Sequence, residues 1–96
     1  MIQHIVFFKF KDNVTEADKE RLTTELRSLK DNIALVKELT VGVDVAHQKK
    51  SYDLALNSTF ETMEDLMAYA VDEYHLEVLK LVVELCASTC KVDYEI

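Results

Sequence analysis

Glycine and proline are nearly absent from this chain of 96 residues, which contains one glycine and no proline. Flexible linkers between domains are built from such residues, so the sequence predicts none. With Gly42 as its only glycine, the chain also lacks the glycine-rich loops of P-loop and dinucleotide-binding proteins. We therefore expect a single domain over residues 1–96, with one core.

Cysteine and basic residues are scarce as well. A metal site at Cys86 and Cys90 would need two more ligands nearby, and none is visible, so we expect two free, buried thiols and no metal or cofactor. Lys and Arg number 11 against 18 Asp and Glu, which gives a formal net charge of -7. This charge argues against nucleic acid and anionic membrane surfaces as partners, since both attract basic patches.

Long apolar runs are missing too. No segment approaches the ~20 apolar residues that a membrane helix requires. Met1 leads directly into an apolar segment, without the basic region that opens a signal peptide. The expected location is the cytoplasm, with no membrane partner.

The opening segment, residues 1–10, has the pattern of a strand that is apolar on both faces. Side chains alternate along a strand, so one face carries Ile5 and Phe7. The other face carries His4, Val6, Phe8 and Phe10. Both faces must be covered, and the helices of so short a chain can cover only one. We therefore expect a homodimer in which a second copy covers Ile5 and Phe7. We also expect a specific role for His4, because a polar group in an apolar interior requires one.

Periodicity predicts the remaining elements. Strands are expected at about 2–10, 38–45, 52–60 and 88–96, with helices capped by Thr15 and Thr62 and a third helix over 75–86. This βαββααβ order predicts an α+β, ferredoxin-like fold with a four-stranded antiparallel sheet and helices on one face.

Three finer expectations concern the second half of the chain. The apolar side of the second helix is expected to comprise Met63, Leu66, Met67 and Ala70. The third helix has only one narrow polar stripe, so we expect it to be buried on more than one side. Alternation in the last strand predicts inward side chains at Cys90, Val92, Tyr94 and Ile96, and outward ones at Lys91, Asp93 and Glu95.

Several segments together resemble one family, the stress-responsive A/B barrel domain or dimeric α/β-barrel (Dabb) proteins. They are residues 4–10, 15–16, 39–42, 52–56, 60–61, 64–66 and 92–94, with Tyr69 and His75. The resemblance covers the whole chain and implies a homodimer whose two sheets close a barrel. The family's plant members include stress-associated proteins and a polyketide cyclase that works by aldol condensation.

The resemblance to the cyclase implies a pocket lined by His4, Tyr69 and His75, where the two latter residues form an acid–base pair. A further histidine of that enzyme is replaced here by Leu54. Each residue also has a structural interpretation. His75 would cap its helix, Tyr69 would be a core aromatic with its hydroxyl at the surface, and His4 would be a buried histidine bonded to backbone.

Three functions therefore compete. The first is a cofactor-free enzyme of lyase, cyclase or isomerase type that acts on a small carbonyl or polyketide-like molecule. The second is a module that binds a small apolar ligand. The third is a structural, stress-related oligomer, and the residue types alone do not separate the three.

Overall fold

Four strands and three helices make up the fold of the computed structural model, which describes all residues, 1–96. Their bounds are β1 Ile2–Phe10, α1 Glu16–Asn32, β2 Glu38–Val43, β3 Leu54–Phe60, α2 Met63–Ala70, α3 Glu73–Leu85 and β4 Cys86–Glu95. All pairings in the sheet are antiparallel, in the order β2-β3-β1-β4. The predicted ferredoxin-like α+β fold is confirmed.

The first two helices begin where their capping residues predict. The Thr15 hydroxyl accepts a hydrogen bond from the Asp18 backbone N–H at 3.1 Å, and Thr62 does the same for Asp65 at 3.1 Å. Each hydroxyl satisfies one of the N–H groups that a helix start leaves without an intrahelical partner.

The third helix begins two residues earlier than predicted. The Asp72 carboxylate accepts a hydrogen bond from the Tyr74 N–H at 2.8 Å, which makes Asp72 the N-cap. The interpretation of His75 as a helix cap is therefore wrong, because His75 already lies within the first turn.

The loop between β2 and β3 is longer than the alternating pattern suggests. β2 ends at Val43 and β3 starts at Leu54, because the Asp44 carboxylate accepts a hydrogen bond from the His47 N–H at 2.8 Å and turns the chain. His47 completes the turn with a φ of 50°, and its side chain is exposed as expected.

The core lies between the helices and one face of the sheet. Leu22, Leu26 and Leu29 of α1 pack in it with Phe8 of β1 and Phe60 of β3. The alternation predicted for β1 is confirmed, since His4, Phe8 and Phe10 are buried on the helix side whereas Phe7 is 42% exposed on the other face.

The predicted orientation of β4 is wrong. In the register of β1 with β4, His4 pairs with Asp93 and Val6 with Lys91, so both charged side chains lie on the helix side. Val92 and Tyr94 lie instead on the outer face with Phe7, and both are exposed. Alternation defines two faces but not which one is covered, and here pairing with β1 decides it.

The helices also expose more apolar surface than expected. α2 buries Leu66 and Tyr69 and leaves Met67 exposed, whereas α3 leaves Leu76 and Val83 exposed. The expectation that α3 is buried on several sides is wrong, because no second layer of the chain lies outside it.

The two cysteines differ in their surroundings. Cys86 is buried at the end of α3, and Cys90 is exposed on β4. Both are free thiols, and the expectation that they are buried is confirmed for Cys86 and wrong for Cys90.

Candidate functional site

A cavity of about 490 Å³ lies between the sheet and the helices. Its walls are mainly apolar and come from β1, β3, β4 and all three helices. The side chains in its lining that carry polar or ionisable groups on the helix side of the sheet are His4, Tyr69, His75, Thr89, Lys91 and Asp93. The volume falls within the roughly 300–1,000 Å³ of typical small-molecule pockets.

The three residues singled out from the sequence meet in this cavity. The ring centroids of Tyr69 and His75 are 4.3 Å apart, and those of His4 and Tyr69 are 6.2 Å apart. Tyr69 lies in the last turn of α2 and His75 in the first turn of α3, so the short connection at Asp72 brings their rings together. Their catalytic role remains a prediction.

Tyr69 is enclosed at the junction of α2 and the sheet. Its side chain is only 2% exposed and packs against Phe60 with ring centroids 4.8 Å apart. The interpretation of Tyr69 as a core aromatic is confirmed by its place in the hydrophobic core, and the same residue lines the cavity. Burial alone raises the pKa of Tyr69 well above its ordinary value, because the phenolate would lose its hydration. The phenol stays protonated at neutral pH and can donate a hydrogen bond.

His75 is half-buried and its tautomer follows from its partner. The Nδ1 atom lies 3.0 Å from the Ala70 carbonyl oxygen, which can only accept, so Nδ1 carries the hydrogen and donates it. The second nitrogen, Nε2, then carries a lone pair. Burial lowers the pKa of His75, and His4 lowers it further, whereas Ala70 and Asp72 oppose the shift. The ring is therefore neutral at neutral pH and has the form that a general base requires.

His4 is part of a chain of polar groups that continues to the rim of the cavity. Its Nδ1 atom contacts the Oδ1 atom of Asp93, and the Nζ atom of Lys91 donates to Oδ2 of Asp93 at 2.5 Å. Partial burial raises the pKa of Asp93, but the hydrogen bonds from Lys91 and His4 outweigh burial and hold it below its usual range. The alternative in which His4 bonds to backbone is wrong, since its partner is a side chain.

Sequence reasoning missed Asp93 and Lys91 as cavity residues. Both were placed on the outer side of β4. The signal available was Asp93 itself, which lies between Val92 and Tyr94 in one of the family-like segments. In a fold whose first and last strands are paired, a histidine on one strand can face a carboxylate on the other.

The structure contains no cluster of three or more His, Cys, Asp or Glu side chains that could hold a metal ion. None of its helices combines the length and apolar character needed to cross a membrane. The polar groups that the chain itself brings to the cavity include the imidazoles, the phenol, the carboxylate and the ammonium group described above.

Comparison with known proteins identifies relatives over the full length of the chain. The chain is 31% identical to olivetolic acid cyclase of Cannabis sativa over 77 residues, which are 78% of this chain and 76% of the cyclase. It is 32% identical to a stress-response A/B barrel domain-containing protein of Arabidopsis thaliana over 98% of its length, but spans only 36% of that protein.

A solved structure has the same fold. The chain superposes with a TM-score of 0.85 on a dimeric, ferredoxin-like protein of unknown function from Bacteroides fragilis, at 27% identity and covering 99% of this chain and 95% of that one. The model of one family, described as the Stress responsive A/B Barrel Domain, matches residues 2–96. The chain belongs to this stress-responsive A/B barrel domain (Dabb) family.

Proposed function

We propose that the cavity binds a small apolar carbonyl compound, and that His75 and Tyr69 act on it by acid–base chemistry without a cofactor. The observation that carries the proposal is the close pair of these two rings, 4.3 Å apart, inside an apolar cavity. One ring is a neutral imidazole with Nε2 unprotonated, and the other is a phenol that keeps its proton. Together they supply a base and a hydrogen-bond donor at one place.

The proposed reaction begins with proton removal next to the ligand carbonyl. Nε2 of His75 takes the proton, and the C–H electrons form a carbon–carbon double bond as the carbonyl oxygen becomes an enolate. The Tyr69 hydroxyl donates a hydrogen bond to that oxygen and stabilises its charge. The enolate carbon then attacks a second carbonyl carbon, and the new alkoxide receives the proton from His75. The net result is an aldol addition, which in a polyketide-like chain closes a ring.

His4 is proposed to orient the ligand or the Tyr69 ring from the floor of the cavity. Asp93 accepts a hydrogen bond from Nδ1 of His4, and this contact fixes the ring's position. The similarity to a cyclase supports the reaction class. The buried Leu54 stands where that kind of enzyme is expected to have another histidine, and it does not line the cavity of this chain.

The proposed functional unit is a homodimer of this single-domain chain, located in the cytoplasm. The outer face of the sheet exposes Phe7, Val92 and Tyr94, and no helix of the chain covers it. A sheet-to-sheet interface would cover these side chains and would bury the ~1,200 Å² or more that stable interfaces require. The dimeric relative from Bacteroides fragilis supports self-association.

Proton abstraction can be tested without knowing the natural substrate. A panel of apolar methyl ketones is incubated with the protein in deuterium oxide, and uptake of deuterium next to the carbonyl is followed by NMR. We expect the protein to accelerate exchange, and His75→Ala to reduce the acceleration about a hundredfold or more, because a general base contributes on that scale. Tyr69→Phe should also reduce it, through loss of the hydrogen bond to the enolate.

The matched control is His47→Ala, which removes the exposed histidine of the β2–β3 loop and should leave exchange unchanged. Equal exchange rates for His75→Ala and wild type would contradict the proposed base. Tight binding of the ketones without any exchange would favour the alternative function, a module that only binds its ligand.

A further inference from the structure

Lys91 is the only lysine or arginine in the lining of the cavity. It lies on β4, opposite Val6 of β1, and so on the same face of the sheet as the His4–Asp93 pair. Lysines on edge strands commonly point into solvent and discourage pairing with other chains. Lys91 differs, because its ammonium group turns along the strand to Asp93, 2.5 Å away.

The ammonium group of Lys91 has N–H donors that form no hydrogen bond within the chain. It carries three N–H groups, and the one oxygen of Asp93 that it contacts uses one of them. Its side chain is 63% exposed, so the remaining donors are accessible from the mouth of the cavity. Asp93 meanwhile is contacted on its other oxygen by His4, so two donors share its negative charge.

The opposite side of the cavity is apolar. Met63 and Met67 of α2 and Leu79 of α3 line it and are partly exposed. A ligand in this cavity therefore meets apolar side chains from the helices and, from β4, the ion pair of Lys91 and Asp93. The chain as a whole has a net charge of -7, so general electrostatic attraction would not draw an anion to it. A preference for anions would have to come from Lys91 itself.

We infer that the cavity selects ligands that combine an apolar body with a carboxylate, and that Lys91 binds the carboxylate at the cavity mouth. This inference rests on the proposed function, because it assigns a substrate class to the same cavity. The ammonium group reaches Asp93, whose other oxygen contacts His4, and the ring of His4 lies 6.2 Å from that of Tyr69. A carboxylate held by Lys91 therefore places the neighbouring part of the ligand near the rings, so oxo acids with an apolar chain fit this arrangement.

The test uses two ligands of the same length and shape that differ in charge, octanoate and octanamide. Their affinities are measured by isothermal titration calorimetry at neutral pH for wild type, Lys91→Met, Lys91→Arg and Lys80→Met. Lys80 is the matched control, since it lies outside the cavity lining, bonded to Glu77 at 2.9 Å, and its replacement removes the same charge.

For wild type we expect octanoate to bind about tenfold more tightly than octanamide, the gain typical of one hydrogen bond to a charged group. Lys91→Met should remove this preference without weakening octanamide binding, whereas Lys91→Arg and Lys80→Met should retain it. Equal affinity of the two ligands for wild type would overturn the role of Lys91 and leave the cavity proposal intact. Failure of both ligands to bind would overturn the ligand-binding cavity and this inference with it.

Discussion

Ser58 carries a hydroxyl for which the fold provides no partner. It pairs with His4 in the register of β1 with β3, is only 1% exposed, and its Oγ atom makes no hydrogen bond. A buried hydroxyl without a partner costs about 1–3 kcal/mol of free energy. The Ser58 hydroxyl therefore lowers the stability of the folded state at a position next to His4 of the candidate site.

We predict that Ser58→Ala raises the free energy of unfolding by about 1 kcal/mol, because the unpaired hydroxyl is removed and the small loss of packing offsets only part of the gain. The measurement is urea denaturation followed by circular dichroism. The matched control is Ser28→Ala. The Ser28 hydroxyl contacts the Glu25 carbonyl and the Tyr74 hydroxyl, both at 2.6 Å, so its removal should lower the free energy of unfolding. A loss of stability in Ser58→Ala as large as in Ser28→Ala would show that Ser58 has a partner after all.

Asp93 shows how far a single sequence can define a site. His4, Tyr69 and His75 could be chosen from the sequence because histidine and tyrosine are recognisable as acid–base groups, and the family-like segments contain them. The role of Asp93 depends on the register between β1 and β4, which joins residues 89 positions apart. Local alternation carries no information on that register, so the contact could not be predicted.

At the level of elements, helix starts follow local chemistry. Thr15 and Thr62 were identified as caps because a hydroxyl three residues before an acidic residue is a recognisable pattern. The start of α3 was placed too late, since residues 72–74 resemble an interruption when tertiary contacts are unknown. In the structure Asp72 caps α3. Tyr74 packs against the core, and its hydroxyl forms a hydrogen bond with the Ser28 hydroxyl.

We predict that Asp72→Ala lowers the free energy of unfolding by about 1 kcal/mol, the usual cost of losing an N-cap. The measurement is chemical denaturation at neutral pH. Asp12→Ala removes the same charge from an exposed position in the β1–α1 loop and serves as the control, with an expected change near zero. If the two variants lose equal stability, the cap contributes nothing beyond its charge.

At the level of the whole molecule, the proposed dimer depends on the outer face of the sheet. The order of the elements and the two apolar faces of β1 could be predicted, because alternation and helical periodicity are local properties. The residues that surround Phe7 on the outer face could not be assigned. Val92 and Tyr94 of β4 were expected in the core, because alternation does not reveal which side of a strand the helices cover.

We predict that wild type is a dimer and that Phe7→Glu is not, because the substitution places an unpaired charge in the sheet-to-sheet interface. Size-exclusion chromatography with light scattering at micromolar concentration measures the mass directly. The control is Val83→Glu, which introduces the same charge on the outer surface of α3, where Val83 is 72% exposed, and should remain dimeric. A monomeric mass for wild type, or an unchanged dimer for Phe7→Glu, would refute the proposed interface.

The proposed function requires His75 to be a neutral base inside the cavity, and a pH titration of the histidine ring signals by NMR measures its protonation. Burial should hold the pKa of His75 below its ordinary value of 6.5, so the ring is deprotonated at neutral pH and ready to accept a proton. The His75→Ala spectrum assigns the signal. We expect a titration midpoint below 6.5. A midpoint at or above 6.5 would contradict the role of His75 as a neutral base, because its ring would then bind a proton at least as readily as a histidine side chain in water.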